Sequence, residues 1–178
     1  MGNAQQINFP KDNPLMTQAP VSRAPTKAQL ADAENWLMAI DSNTASLIET
    51  GWHAAINAPG DFAADFYHNL FAAAPIVIEL FSGDMTEQQG RLTHTLAETV
   101  ALLHNPAHLL LLLRASGVRH HHYQVKQAYF GVMRNILINT IAARAGDLFS
   151  DAHRQAWEEF FDNMATIMQS GMANAAKS

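Results

Sequence analysis

In a chain of 178 residues without cysteine, chemistry must come from tyrosines, histidines, amides and carboxylates. Three such side chains fall on the apolar faces of helical patterns. Tyr67 belongs to a stretch in which Phe62, Phe66 and Leu70 recur four apart, with Tyr67 and Phe71 widening the stripe. Gln88 stands four residues before Leu92, in a row continued by Leu96, Val100 and Leu103, so its amide is aimed inward. The third is one member of His120-His121-His122. Consecutive helical residues point about 100° apart, so these three cannot chelate one metal and at most one faces inward. A buried polar group costs a few kcal/mol unless it is paired, which makes an inward Tyr, Gln and His the first candidates for chemistry.

Each residue alone also has an ordinary reading. Tyr67 could be a core aromatic whose hydroxyl is satisfied locally, Gln88 a first-turn residue, and the histidines surface groups. His104 and His108 have the i, i+4 spacing of a helical metal pair, but Asn105-Pro106 interrupts the helix between them. Met133, Met164 and Met168 read as core filler.

The elements that must position these groups are helices. Every breaker from Asn43 onward falls between helical patterns, and no Val/Ile/Thr alternation suggests a sheet, so the fold class is all-α. Residues 1 to 25 hold Pro10, Pro14, Pro20 and Pro25 and few large apolar residues, which describes an arm. Thr26 and Gln29 form a capping box before Leu30, Ala33, Trp36, Leu37 and Ile40, an amphipathic helix that needs something to lie against. A helix from about Ala45 carries Leu47, Ile48 and Trp52 and ends near Pro59-Gly60. Asp61 caps the Tyr67 helix, Pro75 opens a short turn to Phe81, and a long helix runs from about Thr86 to His104. Asn105-Pro106 starts the helix containing Leu109 to Leu113, which Gly117 is expected to end. A helix over about Lys126 to Arg144 turns Tyr129, Phe130, Met133, Ile136, Leu137 and Ile141 inward. Ser150 caps the last, in which Trp157, Phe160, Phe161, Met164, Ile167 and Met168 face the core until Gly171.

Composition narrows the function. Lys+Arg number 11 against 16 Asp+Glu, a net charge of -5, which argues against a nucleic-acid partner. The missing cysteines remove disulfides, thiolate metal sites and Cys nucleophiles. No apolar run approaches the roughly 18 residues of a membrane span. The first 25 residues lack a basic start followed by an apolar core, and Gln6 occupies the place of the Ser/Thr of an acylation signal, so a cytoplasmic location is expected.

Several stretches in order resemble bacterial single-domain haemoglobins and the haem domains of flavohaemoglobins. Phe66-Tyr67-His68-Asn69-Leu70-Phe71, Pro75 and Glu79-Leu80-Phe81 are similar to their FYxxLFxxxPxxxxLF signature. Asp84-Met85-Thr86-Glu87-Gln88 with Leu92 resembles DMxxQxxxL, Val118 to Val125 resembles the segment holding the iron-ligating histidine, and Ala156-Trp157 sits as in the last globin helix. The resemblance covers roughly Asn43 to Gly171. It implies a globin fold with a globin domain over residues 43–172, preceded by an extension over 1–42 of arm plus amphipathic helix and followed by a tail over 173–178.

The resemblance also implies roles. His120 would be the proximal ligand of haem b, a neutral imidazole whose other N–H is held by a nearby carbonyl. Arg119 would meet a propionate, Phe81 would clamp the porphyrin, and Leu92, Val125, Phe130 and Met133 would line the pocket. Tyr67 and Gln88 would be distal donors, Gln89 lying one step off the Leu92 row and His94 pointing away. The implied ligands are O2, NO and CO, the function O2 binding and supply or NO protection. Flavohaemoglobins place a Tyr and a Glu against the proximal histidine, where this chain has Phe130 and Met172, and they carry a reductase domain that it lacks. NO dioxygenase or peroxidase turnover would therefore need a separate reductase. Two other readings are a gas or redox sensor acting through the N-terminal extension and a globin fold that has lost haem. A homodimer is among the expected partners.

Overall fold

The computed structural model describes residues 24–81 and 83–177. Among them there are helices and no strand: α1 (Lys27–Met38), α2 (Ser42–Asn57), α3 (Phe62–Ala73), a 3-10 turn (Pro75–Leu80), α4 (Met85–Ala101), α5 (Pro106–His122), α6 (Tyr129–Ala145) and α7 (Asp151–Ala175). Short 3-10 turns, Leu102–His104 and Gly146–Leu148, extend α4 and α6. The all-α expectation is met. Most of the proline-rich arm, residues 1–23, lies outside the described residues.

The helix starts follow from side-chain oxygens that occupy backbone N–H groups which have no partner inside the helix. Gln29 N–H donates to Thr26 Oγ1 at 3.2 Å while Thr26 N–H donates to Gln29 Oε1 at 2.9 Å. Asp61 accepts from Ala64 N–H at 2.9 Å and Asp84 from Thr86 N–H at 2.7 Å. At α7 a histidine completes the box, with Ser150 N–H donating to His153 Nδ1 at 3.2 Å. The start of α2 comes from Asp41, whose carboxylate accepts from the Thr44 N–H and hydroxyl and the Asn43 N–H, bonds that lower its pKa.

The core runs the length of the molecule. α7 is its spine and packs against α5, α1, α2 and α6, while α6 also packs against α2 and α3. Trp157, Phe160, Ile167, Phe66, Ile48 and Leu37 are wholly buried. Leu37 and Ala33 bring α1 into the same core, against α7 and α5. Arg144 near the end of α6 is buried and tied down on all sides. Its guanidinium donates to the Ala55 and Ala58 carbonyls at 2.9 and 2.8 Å and meets Asp65 at 2.5 Å, so it satisfies carbonyls at the end of α2 and clamps the α2–α3 corner.

Two expected helix ends are corrected. Gly117 does not end α5, which continues to His122, and Gly171 does not end α7, which continues to Ala175. Both glycines serve close approach instead. A Cβ added to Gly117 would collide with the Met168 carbonyl, and one on Gly171 would lie 2.6 Å from the Arg114 carbonyl oxygen. Two backbones thus cross with no side chain between them, and the three histidines fall in the last turn of α5. The next helix starts at Tyr129, later than Lys126, after a turn in which Gln124 takes a φ of 58°. The Leu92 row stays α-helical only to Ala101 and then tightens to 3-10.

Gly117→Ala should therefore destabilise the fold by about 1–3 kcal/mol or more, because neither backbone can yield cheaply. Gly131→Ala, whose Cβ meets nothing within 4 Å inside α6, should be neutral or stabilise by up to about 1 kcal/mol. Urea midpoints of the two variants beside wild type check this, and a Gly117→Ala midpoint equal to wild type would refute the close-approach reading.

Candidate functional site

Two groups of polar side chains are assembled on different helices. On α3, Tyr67 is 4% exposed and caged by aromatic rings: Phe66 at 5.2 Å, Phe81 at 5.3 Å and Phe71 at 5.7 Å between centroids. Phe71 and Phe81 also touch each other, at 5.5 Å. Gln88, in the first turns of α4, donates from Nε2 to the Tyr67 oxygen at 3.0 Å. Gln88, not its neighbour Gln89, makes this bond, and His94 is exposed. Burial pushes the Tyr67 phenol above its usual pKa, opposed in smaller measure by the Gln88 bond and the Arg91 charge, so the hydroxyl is protonated at neutral pH.

Arg91 was not singled out from the sequence. It donates from Nη2 to Gln88 Oε1 at 3.2 Å and from Nη1 to Glu87 Oε1 at 2.6 Å. Its positions, three after Gln88 and four after Glu87, are the helical spacings at which side chains meet, and that spacing was the available signal.

The second group is on α5. His120 is half-buried, its Nδ1 is 2.8 Å from the Ser116 carbonyl oxygen one turn earlier, and its ring packs 6.0 Å from Phe130. Burial lowers the His120 pKa, the Ser116 carbonyl opposes this, and the charge of Arg119 lowers it further. The imidazole is therefore neutral at pH 7. With Nδ1–H donating to the carbonyl, the lone pair lies on Nε2. Arg119 donates to Ser116 Oγ at 2.7 Å. His122 is exposed, and His121 and His122 contact each other at 5.8 Å.

Phe130, Ala165 and Met172 form a small buried cluster beside His120, with Val125, Phe161 and Met168 packed round it. Leu92 and Met133 instead pack, half-buried, on the main core. Phe81 stands on the Tyr67 side and Phe130 and Val125 on the His120 side. α4 packs against α3 and α2 while α5 packs against α7 and α1, and α4 and α5 form no extended packed pair.

The donor set can be tested against a cofactor. Among the described residues no three His, Asp or Glu side chains converge on a common point, and His104 is held instead by Glu49 at 2.7 Å. A metal at His120 would meet a single protein nitrogen and must bring its other ligands with it. Half-buried apolar side chains such as Leu92, Leu96, Val125 and Met133 suit a flat apolar macrocycle, and Tyr67 with Gln88 supplies neutral donors for a small ligand. The residues fit an iron porphyrin. Among the described residues no helix is long and apolar enough to cross a membrane.

Comparison with known proteins agrees with this geometry. The family model described as Globin matches residues 64–168, more than half of the chain. Proteins named anaerobic nitrite reductase from Oryza sativa subsp. japonica and subsp. indica are 26% and 25% identical to this chain over 145 residues, spanning 78% of it and 100% of each relative. The kinship expected from the sequence thus holds at the level of the family, and these relatives are plant proteins. A helical fold without strands among its described residues, a neutral histidine with one free nitrogen, and the family match lead to one statement: this chain belongs to the globin family, and with it to the haem-binding, gas-binding proteins.

Proposed function

We propose that the chain holds haem b through His120 Nε2 and binds O2 reversibly beside Tyr67 and Gln88, with NO and CO as alternative ligands. The observation that carries this reading is the 3.0 Å bond from Gln88 to a buried, protonated Tyr67, a neutral donor pair with no other evident purpose in an aromatic cage. Ferrous haem supplies a coordination position for a diatomic gas and the electron density that leaves O2 there partly negative. Tyr67 would offer its O–H to that ligand as a hydrogen-bond donor, and Gln88 steadies Tyr67 by donating to its oxygen. Such a bond is worth about 1–2 kcal/mol in a dry pocket, which slows O2 release by roughly five- to thirtyfold. Slow release suits scavenging or NO protection better than rapid delivery. Ser116 orients the His120 ring, Phe81 would clamp the macrocycle, Leu92, Val125, Phe130 and Met133 would exclude water, and Arg119 would meet a propionate. The globin unit is residues 43–172, flanked by the 1–42 extension and the 173–178 tail. The motif matches favour a bacterial single-domain haemoglobin acting in the cytoplasm.

A second reading, turnover, is favoured by the name of the rice relatives. Reduction of nitrite to NO takes up one electron and two protons and releases water; solvent would supply the protons, and the Tyr67 hydroxyl would hydrogen-bond the nitrite. A separate reductase would supply the electron, as it would for NO dioxygenation. Phe130 and Met172 offer the His120 imidazole no acceptor, so the electron density that a carboxylate would push toward iron is missing.

Absorption spectra of the purified protein, oxidised, reduced and under CO, should show a globin-type haem that His120→Ala loses or binds weakly. Undiminished hemin uptake by that variant would move the ligand elsewhere. In stopped-flow measurements O2 should leave Tyr67→Phe about five- to thirtyfold faster than wild type, and an equal rate would remove the distal-donor role.

A further inference from the structure

The direction of the Tyr67–Gln88 bond is set from outside the pair. A carboxamide can present either end to a hydroxyl. If Gln88 offered its oxygen, the phenol proton would be engaged in the bond and would not be free for a ligand. If it offers its NH2 group, the Tyr67 oxygen accepts and its single O–H is left to point elsewhere. A guanidinium has donors only, so its contact with Gln88 requires the amide oxygen to face Arg91 and the NH2 group to face Tyr67. Glu87 holds the other guanidinium nitrogen at 2.6 Å, one side of the same helical turn.

We propose that Arg91 is a positioning residue for ligand binding: held by Glu87, it pins the Gln88 amide so that Tyr67 accepts from Gln88 and keeps its own proton for the bound gas. This rests on the proposed O2-binding function and deepens it. Arg91 touches neither gas nor the Tyr67 hydroxyl; it acts through the orientation of one amide. Its side chain is 56% exposed, so the effect is that of a screened, solvent-competed contact. The chain Glu87–Arg91–Gln88–Tyr67 carries an orientation from the surface of α4 into the aromatic cage.

The test uses Arg91→Met, which keeps the aliphatic stem and removes the donors, and Arg91→Lys, which keeps a donor-only cation. In the haem-loaded full chain, Arg91→Met should release O2 about three- to tenfold faster than wild type. The infrared C–O stretch of its CO complex should broaden or split as both amide orientations become populated. Arg91→Lys should restore a rate and a single band close to wild type. In the haem-free chain the Tyr67 phenol, followed by ultraviolet absorbance with Tyr67→Phe as reference, should ionise at more alkaline pH in Arg91→Met. Both the lost cation and a phenol now donating to the amide oxygen stabilise its neutral form. An O2 release rate and C–O band unchanged in Arg91→Met would overturn the proposal, as would a Tyr67 titration unchanged in the haem-free variant. Failure to bind hemin in wild type as well as in the variants would instead sink the O2-binding reading, and an unchanged haem-free titration in Arg91→Met would then still overturn the role of Arg91.

Discussion

Helix α5 can lie on α7 as closely as it does only because Gly117 and Gly171 put no side chain between the two backbones. The pair locates everything downstream on α5. His120 is three residues beyond Gly117, less than one turn, so the crossing fixes its height along α7 and its distance from Phe130. It also brings Met172, one residue past Gly171, into the small apolar cluster beside that ring. A side chain on either glycine would lift α5 and carry the histidine away with it.

The Tyr67 group and the His120 group share an electrostatic character. Burial keeps the imidazole of His120 and the phenol of Tyr67 in their neutral forms, one by lowering a pKa and the other by raising it. A neutral imidazole is the form that binds iron, and a protonated phenol is the form that donates. The charged groups nearby, Arg119 and Arg91, are turned to other partners, Ser116 on one side and Glu87 with Gln88 on the other. An uncharged interior of this kind suits uncharged diatomic ligands, which need orientation and a modest hydrogen bond more than a strong field. The Ser116 carbonyl is a weaker acceptor for Nδ1–H than a carboxylate, and the Phe130 and Met172 side chains add none. On the proposed reading, the His120 side would hold a ligand more than activate one.

Outside the site, α1 shares the core through Leu37, which is wholly buried against α7 and α5. Arg144 does comparable work at the opposite end, satisfying backbone carbonyls where α2 turns into α3. A cation in that place costs desolvation that only several well-made hydrogen bonds offset, which is why each of its nitrogens is occupied.

Local physics was legible without a structure. The Thr26–Gln29 box, Asp61, Asn105-Pro106 and Ser150 mark helix starts because capping involves residues only two or three apart. The inward rows of Tyr67, Gln88 and Leu92 follow from the 3.6-residue period alone. The reading of Gly117 and Gly171 as helix ends went astray because a glycine required by a neighbouring helix looks, along the chain, like one required by a turn. Arg144 was invisible for the same reason: its partners are about 80 residues away, in Ala55 to Asp65. The amino-acid sequence by itself determined the helices, their buried faces and the residue types offered to a ligand. The direction of the Gln88 amide is set by Arg91 within one turn of the same helix, whereas which backbones cross without side chains, and therefore where His120 stands, was decided only by the packing of distant segments, since close approach depends on groups that no local pattern records.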